Sequence, residues 1–547
     1  MRPAQALLVR VALVLTALTL TSCDFLRGYA QGHSTNLQHY ETADLPAVQM
    51  GAARFVFDDF GALNTDTLAT HALPWKLVAA ALVTQRFPNE PATEQNLRAL
   101  LRGFGFISAE RIGNWPIGTP PQFRAPLGIT TGRMQRDIPR IDLEVANLSC
   151  ASCHAGVTYD ANGNPLPVAW LGMPNTSLDL DAYFDAVDAA LRGAAPERER
   201  QRVTLAVKQL FPDVGKRELA SLAKYAWPRL VERLARGEPH VRDGGPGRAN
   251  ALATLARQLH LAADPRRATA AVSIPQIGDQ VLRWAVLADG IATRRSEPRF
   301  ESRSWDAAAP SRRTAEIVTT FSAPVLGLHP DKATDAVEPI AEVLEFFVHY
   351  QPPRFPGTID EAAATRGAVI YARCTECHGE YVERDDHLGL RNFPNRLSPL
   401  AEIGTDPMRA GAVDDSFATA VESTLLGITI DAQPTGGYVA PNLAGLWATA
   451  PYLHNGSVPT LHALMTPPER PAKFWVGGHK LDFVKIGIAG AANAAGEYAY
   501  AADYLPWSTP RLFDTALPGQ SNRGHEHEFD GLTEADKSDL IEFLKQL

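Results

Sequence analysis

Cys150-Ala151-Ser152-Cys153-His154 and Cys374-Thr375-Glu376-Cys377-His378 are two complete C-x-x-C-H motifs, and they use four of the five cysteines in the chain. The spacing is that of covalent haem attachment. Two thiols add across the vinyl groups of a haem, and the histidine that follows ligates its iron. With five cysteines and 15 histidines in 547 residues, the chance expectation of even one such motif is on the order of 0.001. Two motifs predict two haem c groups, held by Cys150, Cys153, Cys374 and Cys377, with His154 and His378 as proximal ligands.

The pattern around the motifs predicts a mainly α chain of two cytochrome c-type haem domains. Val337–Tyr350 carries apolar residues at helical spacing and stops at Pro352-Pro353. Thr533–Leu547 does the same after a capping-box start at Thr533 and Asp536. Ile359–Ala372 reads as the helix that delivers Cys374. These closing helices set the divisions: a first haem domain over 66–353, with a long helical insertion at about 180–330, and a second over 354–547. Asp181–Arg192, Glu197–Leu210 and Lys216–Arg236 are the helices expected in the insertion.

The fifth cysteine closes the N-terminal stretch. A positive start at Arg2 and Arg10, an apolar run from Val11 to Leu20 and the tetrad Leu20-Thr21-Ser22-Cys23 describe a secretory signal over 1–23. The tetrad resembles a bacterial lipobox, so Cys23 is the expected lipidation site and 24–65 a tether or wrapping segment. Asp24 resembles the inner-membrane retention signal of enteric lipoproteins. The expected location is therefore the periplasm, on a lipid anchor and not on a spanning helix. A formal charge of −9 and the lack of a Lys/Arg-rich run argue against nucleic acid as partner.

The sixth ligand of each iron decides function, because an open position reacts with dioxygen or peroxide and a filled one passes electrons. The residues alone leave His525 or His527, Met465 and His454 as candidates at the second haem. Pro441-Asn442-Leu443 and Trp447-Ala448-Thr449-Ala450-Pro451-Tyr452-Leu453-His454-Asn455-Gly456-Ser457 resemble the T-A-P-Y-x-H-[ND]-G-S segment of the bacterial dihaem cytochrome c peroxidase superfamily. Ile403–Pro407, Gly245-Pro246-Gly247-Arg248 and Gly524-His525-Glu526 are most similar to its rubber-oxygenase-like branch. The resemblance runs from about Ile141 to the C-terminus and is weak in the insertion.

That resemblance implies His525 as distal ligand of the second haem and a five-coordinate or dioxygen-binding first haem at His154. It also implies an interdomain calcium held by the Thr449 and Pro451 carbonyls and the side chain of Asn175. Trp447 is a candidate electron relay, Arg248 a candidate propionate partner, and Trp284, Phe300 and Trp305 candidates for walling the first haem. The function expected is a haem-dependent oxidoreductase acting on dioxygen or peroxide, its substrate unread. Two alternatives stand beside it. One is a peroxide reductase fed by a small cytochrome or cupredoxin. The other is an electron-transfer cytochrome in which His240, His260 or His329 fills the first iron.

Overall fold

The computed structural model describes residues 33–36, 45–60, 72–116, 118, 126–136, 140–237, 241–305, 312–384 and 387–547. The stretch 1–23 expected to be a signal, with Cys23, and His240 lie outside them. The expectation of a mainly α chain is overturned. Among the described residues, helix makes up 42% and strand 17%, a mixed α/β fold whose strands sit in many small sheets of two to four strands.

A four-stranded sheet aims the first haem motif. Ile129–Arg136 and Ile141–Leu148 form an antiparallel hairpin in which Ile129 faces Leu148, and the chain turns at Ser149 straight into the short helix Cys150–His154. Gly128 makes the turn possible. Its φ is +88°, and a Cβ there would lie 2.2 Å from the Ser152 backbone, so only glycine fits. Ser149 Oγ donates to Val56 O at 2.7 Å and Thr130 Oγ1 to Phe57 O at 2.6 Å. These bonds tie the motif to the helix Ala47–Phe57, a buried helix within the stretch expected to be a tether or wrapping segment.

Ala47–Phe57 crosses Val337–Val348 at Gly51, where a Cβ would sit 2.3 Å from Glu342 O; Phe55 packs edge-on against Phe347 at 5.5 Å. The insertion helices Leu180–Gly193 and Glu197–Leu210 pack on Trp75–Arg86 around a second core. Lys76, 4% exposed, is paired there with Glu218, 2% exposed, at 2.8 Å. The third expected helix runs as Lys216–Ser221, a π turn Leu222–Ala226 and Trp227–Arg236. Beyond it the insertion is not helical throughout. Residues 241–305 hold short strands and turns around the helix Ala251–Gln258, and Arg312–Val325 returns to helix.

The second motif follows Glu361–Tyr371, which lies against the C-terminal helix Glu534–Leu544. Gly367 lets them approach, since a Cβ there would meet Asp539 O at 2.0 Å. Thr533 and Asp536 form a reciprocal capping box. Among the described residues no helix is long and apolar enough to cross a membrane.

Candidate haem cavity

Both C-x-x-C-H motifs line one continuous cavity of about 1580 Å³. That exceeds the roughly 300–1,000 Å³ of an ordinary ligand cleft and leaves room for more than one large planar group. In each motif the ring is oriented the same way. His154 Nδ1 lies 3.0 Å from Pro275 O, and His378 Nδ1 lies 2.7 Å from Pro441 O. A backbone acceptor on Nδ1 fixes the tautomer and leaves Nε2 as the basic, ligating nitrogen. Burial keeps both rings neutral, His154 down at about 4 and His378 also lowered, which is the form a metal needs. Burial also raises the thiols, Cys150 to about 12 and Cys153 and Cys374 to about 11.

Opposite His378 stands His525. Their ring planes are 28° apart and their centroids 6.2 Å apart. Two metal–nitrogen bonds of about 2.0 Å, plus about 1.1 Å from each nitrogen to its ring centre, give a separation of about 6.2 Å. The residues present therefore fit an iron held between two imidazoles. The chain works to place His525: its φ is +56°, its N–H donates to Ile403 O at 3.2 Å, and Arg470 clamps the approach by donating to Asn522 O at 2.6 Å and Gly524 O at 2.9 Å. Burial, then His378 and Arg470, push His525 down to about 3. Met465 lies on the same cavity wall.

His454 lines the same cavity, stacked on Tyr438 at 4.1 Å, with Nδ1 3.3 Å from Thr405 Oγ1. Burial and then Arg248 and Arg409 hold it at about 3. These two arginines are 3% and 2% exposed, and each keeps a buried nitrogen, Arg248 Nε and Arg409 Nη1, without a hydrogen-bond partner. Buried guanidinium groups with unfilled donors suit the carboxylates of a haem. Arg248 also lies over the Phe513 ring and is lowered to about 10 by burial. Arg409 is half-satisfied by Asp289 at 3.0 Å; nothing in its sequence context marks it out.

Other expected residues fall elsewhere. Thr449 and Pro451 line the cavity, but Asn175 is spent on the backbone. Its amide donates to Gly105 O and Ser152 O, and its oxygen accepts from Ser177 N at 3.2 Å. Trp447 is 1% exposed in a cluster with Tyr159, Phe355 and Phe483, its Nε1 donating to Pro353 O. Trp284, Phe300 and Trp305 do not line the cavity; Phe321, Leu344 and Phe347 do. His260 and His329 lie on the wall, both exposed. Asp243, also on the wall, is raised to about 7 by burial and by Asp181 and Asp179.

Residues 437–476 match the family described as RoxA-like, cytochrome c-like, a span that contains the Thr449–Ser457 motif. A cytochrome c-like domain of this kind implies haem c and, in general terms, a haem-dependent oxidoreductase. The chain is also similar to two proteins of Sinorhizobium fredii (strain NBRC 101917 / NGR234), both named as uncharacterized. It is 31% identical to y4iJ over 37% of this chain and 42% of that one, and 29% identical to y4iM over 37% and 52%. The chain thus spans about half the length of these curated relatives.

Proposed function

We propose that the protein is a dihaem c-type oxidoreductase with one reactive and one electron-relaying haem. The observation that carries this is an asymmetry. His378 has a second histidine ring at ligation spacing, whereas among the described residues no ring is stacked opposite His154. Haem c supplies redox chemistry at both sites and, where its sixth position is open, reactivity toward dioxygen or peroxide.

The chain's own residues do the rest. Cys150 and Cys153 anchor the first group and Cys374 and Cys377 the second. Pro275 O, accepting from His154 Nδ1–H, makes that imidazole a stronger donor. Leu344, Phe347 and Phe321 wall the first lobe and exclude water from it. His378 and His525 close the second site on both faces and confine it to electron relay. Arg409, on the cavity wall with Nη1 unpartnered, would hold a haem carboxylate, and Asp243 keeps an exchangeable proton on the wall near neutral pH. Electrons arrive from a small cytochrome or cupredoxin, and Cys23 carries the lipid that holds the protein in the periplasm.

His260 and His329 on the same wall support a second reading, an electron-transfer cytochrome with both irons filled. Low-temperature EPR of the haem-loaded protein, with and without cyanide, separates the two. The oxygen- or peroxide-reactive reading expects one high-spin ferric signal that turns low-spin with cyanide. Two low-spin signals unmoved by cyanide before and after one-electron reduction would leave electron transfer.

A further inference from the structure

Asp243 puts a carboxyl, 7% exposed, on the wall of the cavity. Its charge reaches the first attachment motif, where it helps to raise the Cys153 thiol. It is not among the charges that act on Cys374, which are those of Arg373, Cys377 and Glu528, nor among those that act on His525. The group therefore belongs to the first site. The chain holds it from both sides. Its N–H donates to Asp181 Oδ1 at 2.8 Å, Gly244 N donates to Asp181 Oδ2 at 3.0 Å, and its own Oδ1 accepts from Asn250 N at 2.7 Å. Asn250 is buried and in turn donates to Arg267 O at 2.9 Å.

Charges of both signs face it. Asp179 and Asp181, at the start of helix Leu180–Gly193, are like charges and buried. Arg511 leans toward those two, with Nη1 3.2 Å from Asp179 and 3.8 Å from Asp181. Arg257, on helix Ala251–Gln258, and Arg248, on the strand Arg248–Ala249, are the cations whose fields it shares. Burial and the two aspartates outweigh the Asn250 bond and Arg257, and lift the carboxyl to about 7. Held between its two forms, it answers to a unit change of charge nearby. Solvent is one residue away: Arg242, 57% exposed, turns outward to Asp185 at 2.8 Å.

Resting on the reading of the Cys150–His154 lobe as a haem site, we propose that Asp243 takes up a proton from solvent when the iron at His154 is reduced, so that the first site accepts an electron and a proton together. The electron, from a small redox protein, converts ferric iron to ferrous. The proton converts the Asp243 carboxylate to the acid, no other bond forms or breaks, and the charge of the lobe is unchanged. Ferric iron carries one positive charge more than ferrous, so reduction removes an attraction for the carboxylate and raises its affinity for a proton. Linkage is reciprocal: the protonated acid favours reduction to the same extent. Reduction of peroxide to water consumes one proton for each electron, and Asp243 would store that proton on the wall of the lobe that needs it.

Spectroelectrochemical titration of the haem-loaded protein across neutral pH tests this, with His525→Gly, which shifts the second haem, assigning the two potentials. One proton per electron lowers the first potential by one tenfold factor per pH unit, about 59 mV, while the second stays flat. Asp243→Asn, a neutral isostere of the protonated acid that keeps an acceptor for Asn250 N, is expected to remove the slope and hold the first potential near the parent's acidic limit. Asp243→Glu keeps the carboxyl and is expected to keep a slope. A flat first potential in the parent overturns the assignment. So does a slope that survives Asp243→Asn, which would give the proton to a haem carboxylate, and so does a slope lost equally in Asp243→Glu, which would give the effect to the loop. A haem count separates the two failures. One haem per chain removes the reading of the lobe and the coupling with it, whereas two haems with a flat first potential remove the coupling alone.

Discussion

Replacing His525 by glycine isolates its imidazole from everything else the residue does. The backbone there sits at φ +56°, a conformation that costs an L-residue about 1–2 kcal/mol and glycine almost nothing. The ring also stacks on Phe529 at 6.4 Å, a contact worth about 0.5–1.5 kcal/mol. Strain released and packing lost are of the same size and opposite sign, so apart from the lost iron bond the stability of His525→Gly should stay within about 1 kcal/mol of the parent. His525→Ala keeps the strain and loses the packing, and should be the less stable of the two. Spectroscopy should change completely instead. The partner at 6.2 Å from His378 is gone, and EPR of the haem-loaded variant should show a second haem equivalent turning high-spin, restored to low-spin by free imidazole. A low-spin second haem that survives His525→Gly without imidazole would refute the assignment and point to Met465, with a raised reduction potential as its signature.

Lys76→Met should cost about 3 kcal/mol in denaturant unfolding, because Glu218 at 2% exposure loses its nearest cation at 2.8 Å and keeps only Arg133 at 3.8 Å; Lys76→Met with Glu218→Met should recover part of it, and a single variant within 1 kcal/mol of the parent would contradict the pairing. Gly367→Ala places a Cβ 2.0 Å from Asp539 O and should destabilise by about 1–3 kcal/mol, read as a lowered thermal midpoint. Asp243 has a folded pKa of about 7, raised by burial from 3.8. The fold therefore holds a proton that the unfolded chain releases, and the stability this gives is present below about 4 and lost as pH rises through about 7. Asp243→Asn should abolish that loss, so the gap in urea midpoint between variant and parent should widen in the variant's favour from pH 5 to pH 8; a constant gap would show that Asp243 ionises normally.

What the sequence displayed best is what is local and periodic. The helices at Val337–Val348, Glu361–Tyr371 and Glu534–Leu544 follow from apolar spacing and, in the last, from a capping box that the structure contains. Many strands, such as Arg248–Ala249 paired with Val272–Ser273, are too short for alternation to register, whereas Ile141–Leu148 does alternate apolar and polar residues and was legible as a strand. The short ones exist because tertiary neighbours line them up. Arg409 and Arg470 were illegible for a related reason: each matters through what a distant segment leaves unpaired around it. The walls of the first lobe were sought among bulky aromatics, Trp284 and Trp305, yet Trp284 lies under the guanidinium of Arg303 at 4.8 Å, and helix faces do the enclosing.

The placement of four cysteines inside a single folded cavity has a consequence for biogenesis. Thioether formation needs reactive sulfur and a route for a planar group larger than any gap in a packed wall. In the finished fold burial raises the thiols of Cys150 and Cys153, which lowers their thiolate fraction, so a chain loaded before it closes offers the more reactive sulfur. On the proposed dihaem reading, two porphyrins would act as templates around which 220-odd intervening residues condense, in about the way a structural metal nucleates a small domain, and maturation would become a sequence of two irreversible ligations ahead of one collapse.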